Sequence, residues 1–328
     1  VQIIRHTSEN MEEAIVRQIS EQYHGGKACV LTGTNEEALR VLGLLLRHGI
    51  RAKLIQSLDG FRLYNLAEVR FFLRCIDRDL TSPVIGKNLW NQAKAELARV
   101  YSDSSCLENV LNMISAFEEV NTYLKYRTDL EEFIRESQLE DFYPDDRETV
   151  FVSTIHKSKG REFDSVWLLL NHTALRDDAE RRKLYVGMTR AKDNLYIHCN
   201  NGIFDRYQVS DVTQIVDEEQ YPAPQEITLQ LTHTDVVLDF FRDKKEAVLR
   251  LHSGMPLSQK DGFLYAEQDG RTVRVAKLSR ARMAETERLS AKGYRPHDGE
   301  VRFVVAWKGE NDTEETAVLL PDLHFRKD

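Results

Sequence analysis

The stretch from residue 28 to residue 55 constrains the fold most. Residues 28–32 (ACVLT) form a short apolar run that reads as a buried strand. Residues 35–48 carry a helical pattern with Leu39, Leu42 and Leu46 on one side and Gly49 at the stop. Residues 51–55 read as a second strand. Strand, helix, strand at this spacing is a parallel βαβ unit, because parallel strands need a crossover of this length. The pattern is interrupted and then resumes, with strands expected at 149–153 and 165–170, a helix at 178–188 and a strand at 194–198. Between them, residues 66–76 give a helix with Val69, Phe72, Leu73 and Ile76 inward, and residues 87–139 are helical without a convincing strand. Ahead of the first strand, residues 8–23 form an amphipathic helix with Met11, Ile15, Ile19 and Tyr23 on one face. Asn10 and Glu13 suit a capping box there, and Gly25-Gly26 closes its end. The expectation is one α/β domain built on a parallel sheet, with a helical insertion.

Past about residue 200 the grammar changes. Pro222 and Pro224 mark a linker, and short alternating segments follow at 263–267, 272–278, 301–307 and 316–320. Gln268-Asp269-Gly270 and residues 308–312 supply turns, and residues 280–292 supply one helix. A chain of 328 residues accommodates this two-part organisation. No run of about 18 apolar residues is present, so no spanning helix is expected, and Glu9, Glu12 and Glu13 break up the start too early for a signal peptide. The chain opens on Val1, and reads as a piece of something longer. Cys29, Cys75, Cys106 and Cys199 lack metal-ligand or disulfide-framework spacing and read as buried thiols of a cytoplasmic protein. The net charge of -8 argues against nucleic-acid binding by bulk charge and leaves local stretches free to do so.

A complete nucleotide site is absent from the sequence. A phosphate loop needs G-x-x-x-x-G-K-S/T. Gly26-Lys27 has Ala28 after it and Glu21 in place of the first Gly; Gly86-Lys87 has Asn88 after it and Thr81 in that place. The chain alone is expected not to hydrolyse ATP. Two segments carry chemistry instead. In VFVSTIHKSKGREFDSVWLLL (residues 150–170) a strand ends in Thr154-Ile155-His156, followed by a polar loop with Lys157, Lys159 and Gly160 and then Glu162. Side chains at the carboxyl end of a parallel strand face a ligand crevice, and Gly160 lets backbone approach a ligand closely. In RRKLYVGMTRAKDNLYI (residues 181–197), Arg181, Arg182, Arg190 and Lys192 share about three helical turns with Tyr185 and Thr189. Arginine at such a place suits a phosphate, whose oxygens its planar fork binds in pairs.

These segments resemble motifs V and VI of superfamily 1 DNA helicases of the UvrD/Rep/PcrA group. The forms T-x-H-x-x-K-G-x-E-F and Y-V-G-x-T-R-A each occur once, in order, about thirty residues apart. Residues 29–55 are similar to the motif IV strand, helix and strand of that group, and residues 61–76 to the segment that follows it. The resemblance covers roughly residues 1–205 and implies the second of two RecA-like motor domains, at 1–84 and 148–205. Residues 85–147 form a helical insertion shorter than is usual in the family, 206–224 a linker, and 225–328 a small β-rich C-terminal domain, SH3- or Tudor-like by analogy. The implied function is that of the C-terminal part of an ATP-dependent DNA helicase or translocase. It implies ATP and Mg2+ as cofactors of the longer protein, the metal being held by a first RecA-like domain upstream of Val1. Arg190 matches the arginine finger that reaches the γ-phosphate. Gly160 and Glu162 match motif V residues at the nucleotide, and Thr154 and His156 match residues that touch single-stranded or partly duplex DNA. Lys157 beside them is either a DNA contact or a plain surface charge, and Tyr185 either a motif residue or core.

One departure stands out: Thr32 and Gly33 occupy the places of a family aromatic and arginine, ahead of Thr34-Asn35. It favours a rival reading, a degenerate RecA-like module that binds nucleic acid or protein without ATPase activity. Two charge runs lie outside the motifs. Residues 129–148 carry nine acids against Arg135 and Arg147, a solvated surface or a partner site. Residues 271–295 carry eight bases against Glu285 and Glu287. There Arg274, Arg280 and Arg282 are candidate phosphate contacts, with a solvated helix face as the alternative. The C-terminal domain is also a candidate dock for a protein partner; no membrane association is expected.

Overall fold

Seven parallel strands form the larger sheet, in the order β3-β4-β2-β5-β6-β1-β7. The computed structural model describes residues 1–58, 60–143, 147–173, 177–206, 209–309 and 314–327. In chain order the elements begin with β1 (Gln2–His6), α1 (Glu12–Gln22), β2 (Ala28–Thr32), α2 (Asn35–Arg47) and β3 (Ala52–Leu54). Four helices follow: α3 (Ala67–Asp79), α4 (Lys87–Val100), α5 (Leu107–Val120) and α6 (Arg127–Glu136). The α/β pattern then resumes with β4 (Val150–Thr154), β5 (Phe163–Leu170), α7 (Asp178–Met188), β6 (Ala191–Cys199) and β7 (Thr213–Asp217). The remainder is β8 (Glu226–Gln230), α8 (Leu238–Arg242), α9 (Lys245–Leu249), β9 (Pro256–Lys260), β10 (Phe263–Gln268), β11 (Arg271–Lys277), α10 (Arg280–Ala291), β12 (Tyr294–Trp307) and β13 (Thr316–Lys327). The acids at 145 and 146 and the turn residues 310–312 lie outside the described residues.

The parallel sheet follows from its sequence. β2 and β4 are buried at every position, as expected of central parallel strands covered on both faces. On one face, Met11, Ile15, Val16 and Ile19 of α1 and Ala38, Val41 and Leu45 of α2 close over Val30, Val150, Val152 and Trp167. The buried stripe of α2 is thus one residue away from the expected Leu39, Leu42 and Leu46. Leu39 and Leu42 are only partly buried and Leu46 is 54% exposed. Both stripes have helical spacing, so periodicity alone does not separate them. The expected capping box on α1 is overturned as well. The helix starts at Glu12 with Met11 at its N-cap and no side-chain cap, while the Asn10 side chain donates to the Tyr221 carbonyl at 3.2 Å.

Strands β1 and β7 extend the sheet beyond β6. A buried polar chain joins them. His6 Nδ1 lies 2.9 Å from Asp217 Oδ2, His6 Nε2 lies 2.9 Å from His198 Nδ1, and His198 Nε2 lies 3.0 Å from Gln18 Oε1. Trp167 Nε1 donates to the same Gln18 oxygen. Buried polar groups in a core are tolerated when partnered in this way.

The chain divides into two compact units, residues 1–56 with 145–228 and residues 57–144 with 229–328. The first holds the parallel sheet. In the second, the helical block and the C-terminal strands make one body, a grouping that differs from the four-part linear division. The physical reason is a shared interior. Leu66 bridges Val305 of β12, and the buried Glu68 of α3 accepts from the Ser104 hydroxyl at 2.7 Å and the Ser253 hydroxyl at 3.3 Å. The strands there are antiparallel, in the order β11-β10-β9-β12-β13-β8. All four cysteines are buried and free, and burial pushes the Cys29 thiol up. Among the described residues no helix is long and apolar enough to cross a membrane.

Candidate functional site

The candidate residues of the first unit fall into two groups at opposite ends of the same strands. Thr154 ends β4 level with Thr32 at the end of β2, and His156 and Lys157 follow in a turn. Phe163 starts β5 level with Ala191 of β6. From Phe163 to the level of Thr32 is about six residues of strand, or about 20 Å.

At the carboxyl end, Thr154 is buried, His156 exposed and Lys157 half-buried. The Ile155 N–H donates to the Thr32 carbonyl at 3.0 Å, which holds the turn against β2. Lys157 Nζ donates to Asn35 Oδ1 at 3.1 Å. The loop after β2 is fixed by a capping box: Thr34 Oγ1 accepts from the Glu37 N–H, and Glu37 Oε2 accepts from the Gly33 and Thr34 N–H groups, both at 3.0 Å. Burial pushes the Glu37 carboxyl up, against the pull of the Thr34 hydrogen bonds. A cation missed in the sequence also arrives here. Lys183 Nζ, from α7, donates to the Gly33 carbonyl at 3.1 Å. Its position directly after Arg181-Arg182 was the available signal.

At the amino end, Gly160, Glu162 and Arg190 come together. The Arg190 carbonyl accepts from the Phe163 N–H at 2.8 Å, and Arg190 NH1 donates to the Arg161 carbonyl at 3.0 Å. Arg190 Nε donates to the Val186 carbonyl at 3.0 Å and NH2 to Thr189 Oγ1 at 3.2 Å. Three of the five N–H donors of a guanidinium are therefore committed, which orients the group and leaves two for a ligand. Glu162 pairs with Lys192 at 3.3 Å, both side chains about half exposed. Gly160 has φ +83 and nothing within 4 Å of a Cβ built on it, so this backbone is open to close approach. The arrangement can present a bidentate cation and an open backbone to a phosphate-bearing ligand.

The flanking residues divide. Phe163, Trp167, Leu168 and Leu170 are core, whereas Tyr185 is 68% exposed and is not. In the second unit, Arg274 and Arg280 are exposed. Arg282 differs: its guanidinium donates to Asp235 Oδ1 at 2.7 and 3.1 Å and pairs with Glu285 at 2.8 Å, with 15% of the side chain exposed. It clamps α10 to the segment before α8.

A seven-stranded parallel sheet with these loops defines a RecA-like motor fold. Comparison with known proteins names the branch. Residues 81–202 match the UvrD-like helicase C-terminal domain. The ATP-dependent DNA helicase PcrA of Bacillus subtilis (strain 168) is 30% identical over 171 residues, covering 45% of this chain and 23% of that protein. Residues 81–202 are therefore similar to a UvrD-like helicase C-terminal domain, and the chain spans less than a quarter of the length of that relative. Among solved structures, VirB4 of Thermoanaerobacter pseudethanolicus aligns over 86% of this chain and 90% of its own at 12% identity. The TM-score of that alignment is 0.27.

Proposed function

We propose that this chain is the second motor half of an ATP-dependent DNA helicase or translocase, a cytoplasmic protein, with Arg190 as its arginine finger. The observation that carries the reading is the gathering of Gly160, Glu162 and Arg190 by two backbone-anchored hydrogen bonds, with two guanidinium donors left over. Mg2+ would neutralise the phosphates of ATP in such a motor and would be held by a first motor domain. Arg190 supplies positive charge where the γ-phosphate develops charge in the transition state. The open backbone at Gly160 and the carboxylate of Glu162 contact the nucleotide. Thr154, His156 and Lys157, at the other end of the sheet, follow the backbone of single-stranded DNA. Arg274 and Arg280 add phosphate contacts in the second unit; Arg282 is spent on Asp235 and Glu285 and does not.

The second reading, a binding module without turnover, is favoured by Thr32 and Gly33. The test is ATP turnover with and without single-stranded DNA, for the isolated chain and for the chain joined to a first motor domain bearing a phosphate loop. The isolated chain is expected to be silent and the joined protein to show DNA-stimulated hydrolysis. Turnover by the isolated chain would overturn the split-site reading; a joined protein that binds DNA and never hydrolyses ATP would favour the module.

A further inference from the structure

The sheet of the second unit presents a solvent face of rings and cations, of which the motor reading uses only Arg274. β10 lies between β9 and β11. Its Leu264 and Ala266 are buried, with Leu257 of β9 and Val275 and Ala276 of β11, so alternation turns Phe263 and Tyr265 to the opposite side. The antiparallel register places Lys277 opposite Phe263 and Arg274 opposite Tyr265, the latter through a bulge that skips Val275. On the other flank, Lys260 stands opposite Phe263 and Ser258 opposite Tyr265. The Arg274 guanidinium lies over both rings, 4.7 Å from the Phe263 centroid and 5.8 Å from that of Tyr265. The Lys277 ammonium lies 5.6 Å from the Phe263 centroid.

Charge on this face is mainly positive. Lys260, Arg274 and Lys277 are exposed and make no ion pair among the described residues. Against them stand Glu267, on the same face and accepting from the Thr272 hydroxyl, and Asp261 in the turn between β9 and β10, while Asp269 pairs with Arg250 at 2.6 Å. A face with such an excess fits a polyanion. An acidic protein segment would use the cations and has no need of the rings. Half-buried aromatic rings layered with a planar guanidinium, flanked by cations on both neighbouring strands, suit alternate bases and phosphates of a single strand.

We propose that this face binds single-stranded nucleic acid, bases stacking on the Phe263–Arg274–Tyr265 layer and phosphates meeting Lys260 and Lys277. The choice of partner rests on the motor reading; the surface itself does not.

The test uses the full chain and fluorescence anisotropy with three probes: oligothymidylate, an abasic oligonucleotide of equal length, and polyglutamate as competitor. The wild type is expected to prefer oligothymidylate over the abasic strand. Tyr265→Leu should weaken oligothymidylate about 5- to 150-fold, the range of one lost stacking contact, and leave abasic binding unchanged. Lys260→Glu with Lys277→Glu should weaken both strands and lower the salt slope by about 1.4, two phosphate contacts' worth. Lys277→Glu alone, at an exposed position, guards against misfolding and should lower the slope by about half as much. Unchanged affinity and slope in these variants would overturn the proposal, and so would polyglutamate displacing the strand at equal charge concentration, which would mark an acidic protein partner. A parallel His156→Ala variant separates the two readings. Loss there with no loss at the sheet face leaves the motor track standing and removes this proposal; the reverse pattern keeps the proposal and removes the track.

Discussion

Arg302 and Asp322 form an ion pair at 2.8 Å between β12 and β13, with 1% and 2% of their side chains exposed. Arg302 also donates to the Leu231 carbonyl at 2.6 Å. Burial pushes the Asp322 carboxyl up to about 6 against the pull of Arg302. Breaking such a pair leaves a buried charge without its partner, which costs about 3–5 kcal/mol, while replacing both members with apolar residues is far milder. Asp322→Asn should therefore lower unfolding stability by about that much in a urea titration, and Arg302→Met with Asp322→Leu by much less. Equal losses in the two would show that the pair is not what the site needs. Residues of this kind were not legible in the sequence: nothing near Arg302 distinguishes it from Arg274 or Arg282 until the sheet register is known. A motif supplied the expectation at Gly160, Glu162 and Arg190, which lie at one end of the sheet, whereas at Arg282 only charge spoke, and that side chain is committed to Asp235 and Glu285.

At the scale of elements, ends and interlocks matter more than interiors. α2 is capped by Thr34 and Glu37 reciprocally. Thr34→Ala should cost about 1 kcal/mol, read as a shift in the urea midpoint, and loosen the Gly33 loop that Lys183 and Glu37 hold. No change in midpoint would mean that the cap is redundant. α3 carries the buried Glu68, whose carboxyl is pushed above its ordinary value by burial, the Ser104 and Ser253 hydroxyls offsetting part of this. A carboxyl raised on folding binds its proton in the folded state at pH values where the unfolded chain has released it. Stability then falls as pH rises from the ordinary carboxylate range through the folded value. Asp322 adds a limb of the same sign between about 4 and about 6. Glu68→Gln should flatten its part of that slope, and an unchanged slope would remove Glu68 from the account. Central strands and the helix at 178–188 were legible because apolar runs and turn signals bound them tightly. β1 and β7 were not: β7 is an exposed edge strand with no inward face to give a period.

The whole molecule interleaves its two units along the chain, since each is built from two separated stretches. Linear reading saw a sheet with an insertion and a tail, because composition changes at 85, 148 and 225. It missed that residues 57–84, assigned to the sheet, share an interior with the insertion and the tail, through Leu66, Glu68, Ser104 and Ser253, since none of these advertises a distant partner. The central claim concerns the other unit: that Arg190, oriented by the Val186 and Arg161 carbonyls, serves ATP hydrolysis from outside the phosphate loop. The direct measurement is steady-state DNA-stimulated ATP turnover by the chain joined to its first motor domain, for wild type, Arg190→Ala and Arg190→Lys, alongside nucleotide and DNA affinity. The account predicts a fall of about 10³-fold or more in turnover for Arg190→Ala, little rescue by lysine, and affinities close to wild type. Arg190→Ala turning over ATP as fast as an active wild type would contradict it.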